Sequence, residues 1–295
     1  MKLSGTITAL VTPFAADGSV DYGRLEELVE EQVEGGVEGI CPVGTTGESP
    51  TLDHDEHQKV IEKVVEFAGG RVKILAGTGA NSTAEAVSLT KAAIAMGGCD
   101  ACLQVTPYYN KPNPEGLCRH FATVADLGLP VVLYNVPGRA GREIPLDVVE
   151  RLAAHPNVIA IKEAAGSVER VNAIKARVPE FTVLSGDDSL ALPMLSVGAE
   201  GLISVASNIV PRDVSEMVRL ALAGDFVAAR EIHRRLYPLF HALFIDTNPV
   251  MVKEALWLLG RIERSFRLPL CGTTDANLAS MKDALGKAGV MVACA

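Results

Sequence analysis

Lys162 closes a run of four apolar residues, Val158-Ile159-Ala160-Ile161, and Tyr134 closes another such run earlier in the chain. Lysine is rarely buried without a partner or a task. Two readings stand side by side: a structural ion pair with a nearby acid, or an amine that attacks a carbonyl to form a Schiff base. At neutral pH a lysine of ordinary pKa, ~10.4, is unprotonated in only about one molecule in 2,500, and desolvation can lower that pKa by up to ~3–5 units. An apolar strand end is a place where such a shift arises. If the two runs are neighbouring strands, ~4.8 Å apart, the Tyr134 phenol reaches the amine and, with the Thr45 hydroxyl, can relay the protons that imine formation requires. The plainer reading of Tyr134 is a buried ring whose hydroxyl is satisfied by backbone.

Gly44-Thr45-Thr46-Gly47-Glu48 places small residues around two threonines, so that successive backbone N–H groups can converge on one anionic oxygen. The segment lacks the lysine of a P-loop, and the acidic Ser185-Gly186-Asp187-Asp188 stands where phosphate-binding barrels often hold their anion, so a carboxylate fits better than a phosphate. A simple tight turn is the alternative. Arg139, after Val136-Pro137-Gly138, can fork onto a second carboxylate, or cap a helix, or join a surface pair. His54 and His57 are one helical turn apart, but no further ligand set accompanies them, and Asp53, Asp55 and Glu56 suit a helix N-terminus. No metal site is expected. Cys99 and Cys102 straddle the start of an apolar run and read as packing. Gly77-Thr78-Gly79-Ala80-Asn81-Ser82 is a partial dinucleotide fingerprint with Ser in the third glycine position, and it follows the third apolar run instead of the first.

These residues need elements to hold them. Eight short apolar runs recur: Thr6–Thr12, Gly39–Val43, Val72–Ala76, Ala101–Thr106, Pro130–Asn135, Val158–Lys162, Thr182–Ser185 and Gly201–Val205. Between them lie helical-period segments, with Asp21, Asp53 and Ser82-Thr83 standing as caps before three of them. The runs are apolar at consecutive positions, as parallel strands covered on both faces should be. The expected class is α/β, a (β/α)8 TIM barrel with a helical C-terminal extension; a doubly wound open sheet is the competing topology. Residues 1–210 would supply the strands and most barrel helices, and residues 211–295 the last barrel helix and the extension.

The composition agrees with a folded chain: 295 residues, 48% hydrophobic and 21% charged. A net charge of −9 disfavours nucleic acid and anionic membrane surfaces as partners. The chain shows neither the long apolar run of a spanning helix nor a signal peptide, and its six cysteines read as thiols without disulfides, so the expected location is cytoplasmic.

Five motifs in order, GTTGE, TPYYNKP, LYNVPGR, IKEAAG and LSGDD, resemble the dihydrodipicolinate synthases within the pyruvate-dependent class I aldolases, over about Thr6 to Pro269. The resemblance implies that Lys162 forms an imine with pyruvate, without a cofactor. The derived enamine would then attack L-aspartate 4-semialdehyde to give 4-hydroxy-tetrahydrodipicolinate on the path to diaminopimelate and lysine. It further implies a relay of Tyr134, Thr45 and Tyr109, the last reaching across from a neighbouring subunit, in a homotetramer built as a dimer of dimers. Thr45 and Thr46 would hold the pyruvate carboxylate with Gly186 and Ile203 beside it, and Arg139 the carboxylate of the semialdehyde. Ser49, His54, His57, Asn81, Glu85 and Tyr108 match positions that bind feedback L-lysine in many members, although Pro50 after Ser49 departs from the commoner pattern. Related sialic-acid lyases and keto-deoxy-sugar-acid aldolases differ after the YN pair, where VPGR here favours the synthase. Those aldolases, and a non-catalytic carboxylate-binding regulator, are the competing functions. The Asp246-Thr247-Asn248-Pro249 segment has no physical account at this level.

Overall fold

The computed structural model describes residues 2–291; residues 292–295, the end of the expected extension, and Cys294 among them, lie outside the described residues. Eight strands, β1 Gly5–Ala9, β2 Gly39–Cys41, β3 Lys73–Gly77, β4 Ala101–Val105, β5 Val131–Asn135, β6 Val158–Glu163, β7 Thr182–Ser185 and β8 Gly201–Ser204, close into a barrel in sequence order. Every neighbouring pair is parallel, β8 returning to β1. The closed ring, and not the open sheet, is the fold.

Helices alternate with the strands: α1 Tyr22–Glu34, α2 His54–Ala68, α3 Thr83–Met96, α4 Pro114–Ala125, the single turn α5 Pro137–Ala140, α6 Leu146–Ala153, α7 Val168–Arg177, α8 Ala191–Ser196 and α9 Pro211–Leu222. Three more follow: α10 Phe226–Ala242, α11 Val250–Leu258 and α12 Asp275–Lys287. Asp21 and Asp53 cap as expected, Asp53 within a capping box completed by Glu56. Ser82 occupies the N-cap of α3 but makes no capping bond with its side chain. Thr83 instead turns its hydroxyl to His120 Nδ1 on α4, 2.9 Å away.

The runs are shorter or shifted at their ends in ways that matter. β2 stops at Cys41 and not Val43, because Val43 adopts φ +54°, a left-handed conformation that no strand tolerates. β6 carries Lys162 as its penultimate residue and ends on Glu163. Its pairing with β5 also slips by one: Val131 faces Val158, but Val132 faces Ala160, leaving Ile159 as an extra residue. Beyond that bulge Tyr134 stands opposite Lys162.

Alternation along the strands sorts side chains into two apolar bodies. Ile7, Cys41, Leu75, Leu103, Val132, Ala160, Leu184 and Ile203 fill the barrel interior, and Tyr134 belongs to this inner body. The larger body lies between the strands and the surrounding helices. Strand ends at the C-terminal mouth therefore rise from a packed floor. Among the described residues, no helix is long and apolar enough to cross a membrane.

Candidate active site at the barrel mouth

Lys162 and Tyr134 point into the barrel above Ala160 and Val132, and each is only 6% exposed. The Lys162 amine lies over the Tyr134 ring, 4.2 Å from its centroid. Cys41, on β2, completes the floor; burial pushes its thiol up to about 12, against the opposing pull of the Lys162 charge. A neutral thiol beneath the amine leaves it without a competing anion. The acid next in sequence, Glu163, points to the other side of the strand, where Arg170 Nε donates to it at 2.7 Å and Asn135 Nδ2 at 2.8 Å. Burial raises the Glu163 carboxyl, with Arg170 opposing. The structural ion pair expected as an alternative for Lys162 thus belongs to its neighbour, and among the described residues no salt bridge reaches Lys162.

Gly186 follows β7 directly under the Lys162 side chain. A Cβ there would stand 3.0 Å from Lys162 Cε, 2.7 Å from Ala164 Cβ and 3.2 Å from the Glu163 carbonyl oxygen. Gly186→Ala is therefore expected to displace the amine and lower kcat/KM for any reaction that the lysine carries by about tenfold to a hundredfold, the cost of a small misplacement. Steady-state kinetics at parental values would show that the lysine does not need that space. Ile203 is fully buried on β8 within the same interior. The strand end beyond it is fixed by Asp188, whose carboxylate accepts from Ser204 Oγ and from the backbone N–H groups of Val205 and Ala206. Burial raises Asp188 to about 6.

The Gly44–Glu48 segment wraps over the opening. It is left-handed at both hinges, Val43 at φ +54° and Glu48 at φ +55°, which costs about 1–3 kcal/mol for each non-glycine residue. Gly77 permits its close approach to β3, since a Cβ at that position would fall 2.3 Å from the Val43 carbonyl oxygen. Thr45 lines a cavity of about 30 Å³ together with Gly44, Leu103 and Tyr134. It also lines an outer cavity of about 210 Å³ bounded by Tyr108, Val136 and Arg139. Thr45 thus stands between the two, sharing the inner cavity with Tyr134 and the outer one with Arg139. Thr46 is buried and accepts a hydrogen bond from Asn248 Nδ2 at 3.0 Å. That leaves the Thr46 hydroxyl hydrogen free to point at an anion.

Arg139 sits on α5 and donates to the Asn248 carbonyl oxygen at 2.8 Å. Asn248, in the segment that the sequence leaves without a role, therefore touches two of the three residues expected to hold carboxylates, Thr46 and Arg139. Nothing in its local pattern announces this, because its partners are 202 and 109 residues away. Glu48 and Lys253, a fully buried pair, are the other residues that sequence reading passes over. The signal for Lys253 is faint: a charge followed by a second charge inside the otherwise apolar Val250–Leu258.

Tyr109 does not join the site of its own chain. It is 90% exposed at φ +69° and stands out from the loop after β4. Asn81 and Asn110 brace that loop, Asn81 Nδ2 donating to the Tyr108 carbonyl and Asn110 Nδ2 to the Asn81 carbonyl. A separate cavity of about 700 Å³ adjoins the mouth, lined by Ser49, His54, His57, Glu85 and Tyr108. Asn81 does not line this cavity; its side chain meets the Tyr108 backbone beside it. Glu85, expected to await an ammonium, is engaged by His54 at 2.9 Å, and His57 is buried, its imidazole pushed down to about 4 by desolvation. Among the described residues no cluster of three or more metal-ligating groups is present.

A model of the dihydrodipicolinate synthetase family matches residues 2–288. A curated relative from Hydrogenobaculum sp., named 4-hydroxy-tetrahydrodipicolinate synthase, is 49% identical over 97% of this chain and 98% of its own. The solved structure of that synthase from Methylacidiphilum fumariolicum superimposes with a TM-score of 0.96 at 50% identity, covering 98% of this chain and 96% of the other. Another, the Acinetobacter baumannii dihydrodipicolinate synthase complexed with pyruvate, gives 0.96 at 44% identity, covering 98% of this chain and all of that one.

Proposed function

The chain belongs to the dihydrodipicolinate synthetase family, and from that membership we propose how its residues condense pyruvate with L-aspartate 4-semialdehyde to 4-hydroxy-tetrahydrodipicolinate in lysine and diaminopimelate biosynthesis. The family's chemistry runs through a pyruvate Schiff base on a lysine, with no added cofactor. The observation that carries the assignment to Lys162 is its amine, buried in the mouth of a closed barrel, 4.2 Å from the centre of the Tyr134 ring, which in turn shares a cavity with Thr45.

Lys162 adds to the pyruvate carbonyl, and the carbinolamine loses water to leave an iminium. Tyr134, with Thr45, carries the protons of these steps. The iminium withdraws electrons from the adjacent methyl group, which gives up a proton and becomes the nucleophilic carbon of an enamine. That carbon attacks the aldehyde, whose oxygen takes a proton and becomes a hydroxyl. The semialdehyde amine then displaces Lys162 and closes the ring. The Thr45-Thr46 turn receives the pyruvate carboxylate, with Gly186 and Ile203 bounding the keto acid, and Arg139 receives the carboxylate of the semialdehyde.

Tyr109 completes the relay from a second copy of the chain. Its exposure and the bracing of its loop by Asn81 support this, and the assembly is a homotetramer, a pair of tight dimers. The cavity bounded by Ser49, His54, His57, Glu85 and Tyr108 receives L-lysine as feedback inhibitor, which must part Glu85 from His54 to pair its ammonium. The place of action is the cytoplasm.

Pyruvate followed by borohydride tests the core of the proposal. A reduced pyruvate adduct on Lys162 is expected, and a chain labelled elsewhere or not at all defeats it, leaving a carboxylate-binding regulator. A coupled assay then compares L-aspartate 4-semialdehyde with sugar-derived aldehydes; preference for the latter makes the protein a sugar-acid aldolase instead.

A further inference from the structure

Beneath the Thr45-Thr46 turn lies a buried ion pair, Glu48 with Lys253, the two residues each no more than 1% exposed and 205 positions apart. Glu48 closes the turn on one side, and Lys253 comes from α11 in the helical extension, which contributes nothing to the barrel wall. We infer that this pair holds the turn in the geometry that receives the keto-acid carboxylate, so that Lys253 is a positioning residue for the reaction. The inference rests on the assignment of Thr45-Thr46 to that carboxylate.

Three observations carry it. Glu48 is left-handed at φ +55° and ψ +38°, a conformation that glycine adopts without strain. A glutamate held there must supply what glycine lacks, and its carboxylate meets Lys253. Burying two charges is poor economy for stability alone, since apolar side chains of the same volume generally serve as well or better. The pair therefore points to a need for fixed geometry. Lys253 is moreover held on its other sides, its ammonium 4.2 Å from the Phe14 ring centre and 5.2 Å from that of Phe266.

The surrounding contacts confine the turn further without reaching substrate. Thr12 Oγ1 donates to the Gly47 carbonyl at 2.7 Å. Arg267 Nη1 donates to the Thr51 carbonyl at 2.8 Å while forking onto Glu56, so the extension grips the chain on both sides of Ser49. Asn248 Nδ2 donates to Thr46 itself at 3.0 Å, and Lys253 is the charge that the extension sets against the end of the turn.

The test uses full-length Lys253→Met, Glu48→Gln and the double variant E48Q/K253M, with KM and kcat for each substrate, thermal unfolding and pyruvate–borohydride trapping. The expected result is a rise of about tenfold in KM for pyruvate, with KM for the semialdehyde within twofold of the parent. The double variant, with no unpaired buried charge, recovers thermal stability but keeps the raised KM. A pyruvate KM within twofold of the parent in any folded variant overturns the inference, as does a Glu48→Gln chain that fails to fold, since the pair would then hold the whole structure and not the turn. A parent chain that pyruvate and borohydride do not label on Lys162 defeats the catalytic reading itself, which is a different outcome.

Discussion

With Lys162 replaced by alanine, pyruvate and borohydride leave no adduct on the chain, and condensation falls by at least about a thousandfold. The reason is covalent: among the described residues, no other lysine lies over Tyr134 in the barrel interior. Lys162→Arg makes the sharper comparison. It keeps a positive charge and a long side chain, yet a guanidinium stays protonated and cannot add to a carbonyl. Both variants should be equally inactive, and intact-mass measurement after trapping decides it. Turnover by the arginine variant at more than a few per cent of the parent would mean that charge alone, and not an imine, drives the reaction.

Tyr134→Phe is expected to lower kcat by about a hundredfold to ten-thousandfold, the range a positioned proton-transfer group supplies. The ring remains, and with it the face on which the Lys162 ammonium rests. The amine therefore keeps its place and the fold its packing; what disappears is the hydroxyl. Trapping should then proceed to the same end point as in the parent, only more slowly. Stopped-time borohydride quenching reads that rate directly. If the adduct forms at the parental rate, the phenol is a packing group with a satisfied hydroxyl, the plainer of the two readings its sequence allows.

Apolar, β-branched runs separated by capped helical segments are sufficient to place eight strands, and in a barrel the strand ends are where reactive groups collect. Lys162 and Tyr134 are legible because each terminates such a run. Their pairing is only half legible: strand adjacency follows from order, but the register depends on the extra residue Ile159, which no periodicity marks. Val43 misleads for a related reason. Its β-branched side chain continues the strand pattern, while the close approach of the Gly44–Glu48 turn to β3 forces its backbone into the left-handed region. Asn248, Glu48 and Lys253 are illegible for want of locality: they meet across more than 200 residues, and a side chain's partner at that distance leaves no trace in its neighbours. Arg139 is readable as a type, a guanidinium in a mouth loop, but not as a posture, which the Asn248 carbonyl sets.

The bulge in β6 decides which of two adjacent charged side chains enters the ring. Without it, Tyr134 would stand opposite Ile161, and the amine and the carboxylate of Lys162 and Glu163 would trade sides of the wall. With the number of residues unchanged, a strand that flattened this irregularity would turn the nucleophile outward and the acid inward. One surplus residue in the wall thus sorts two neighbouring charges, the amine into the ring and the carboxylate against the helices, where Arg170 meets it.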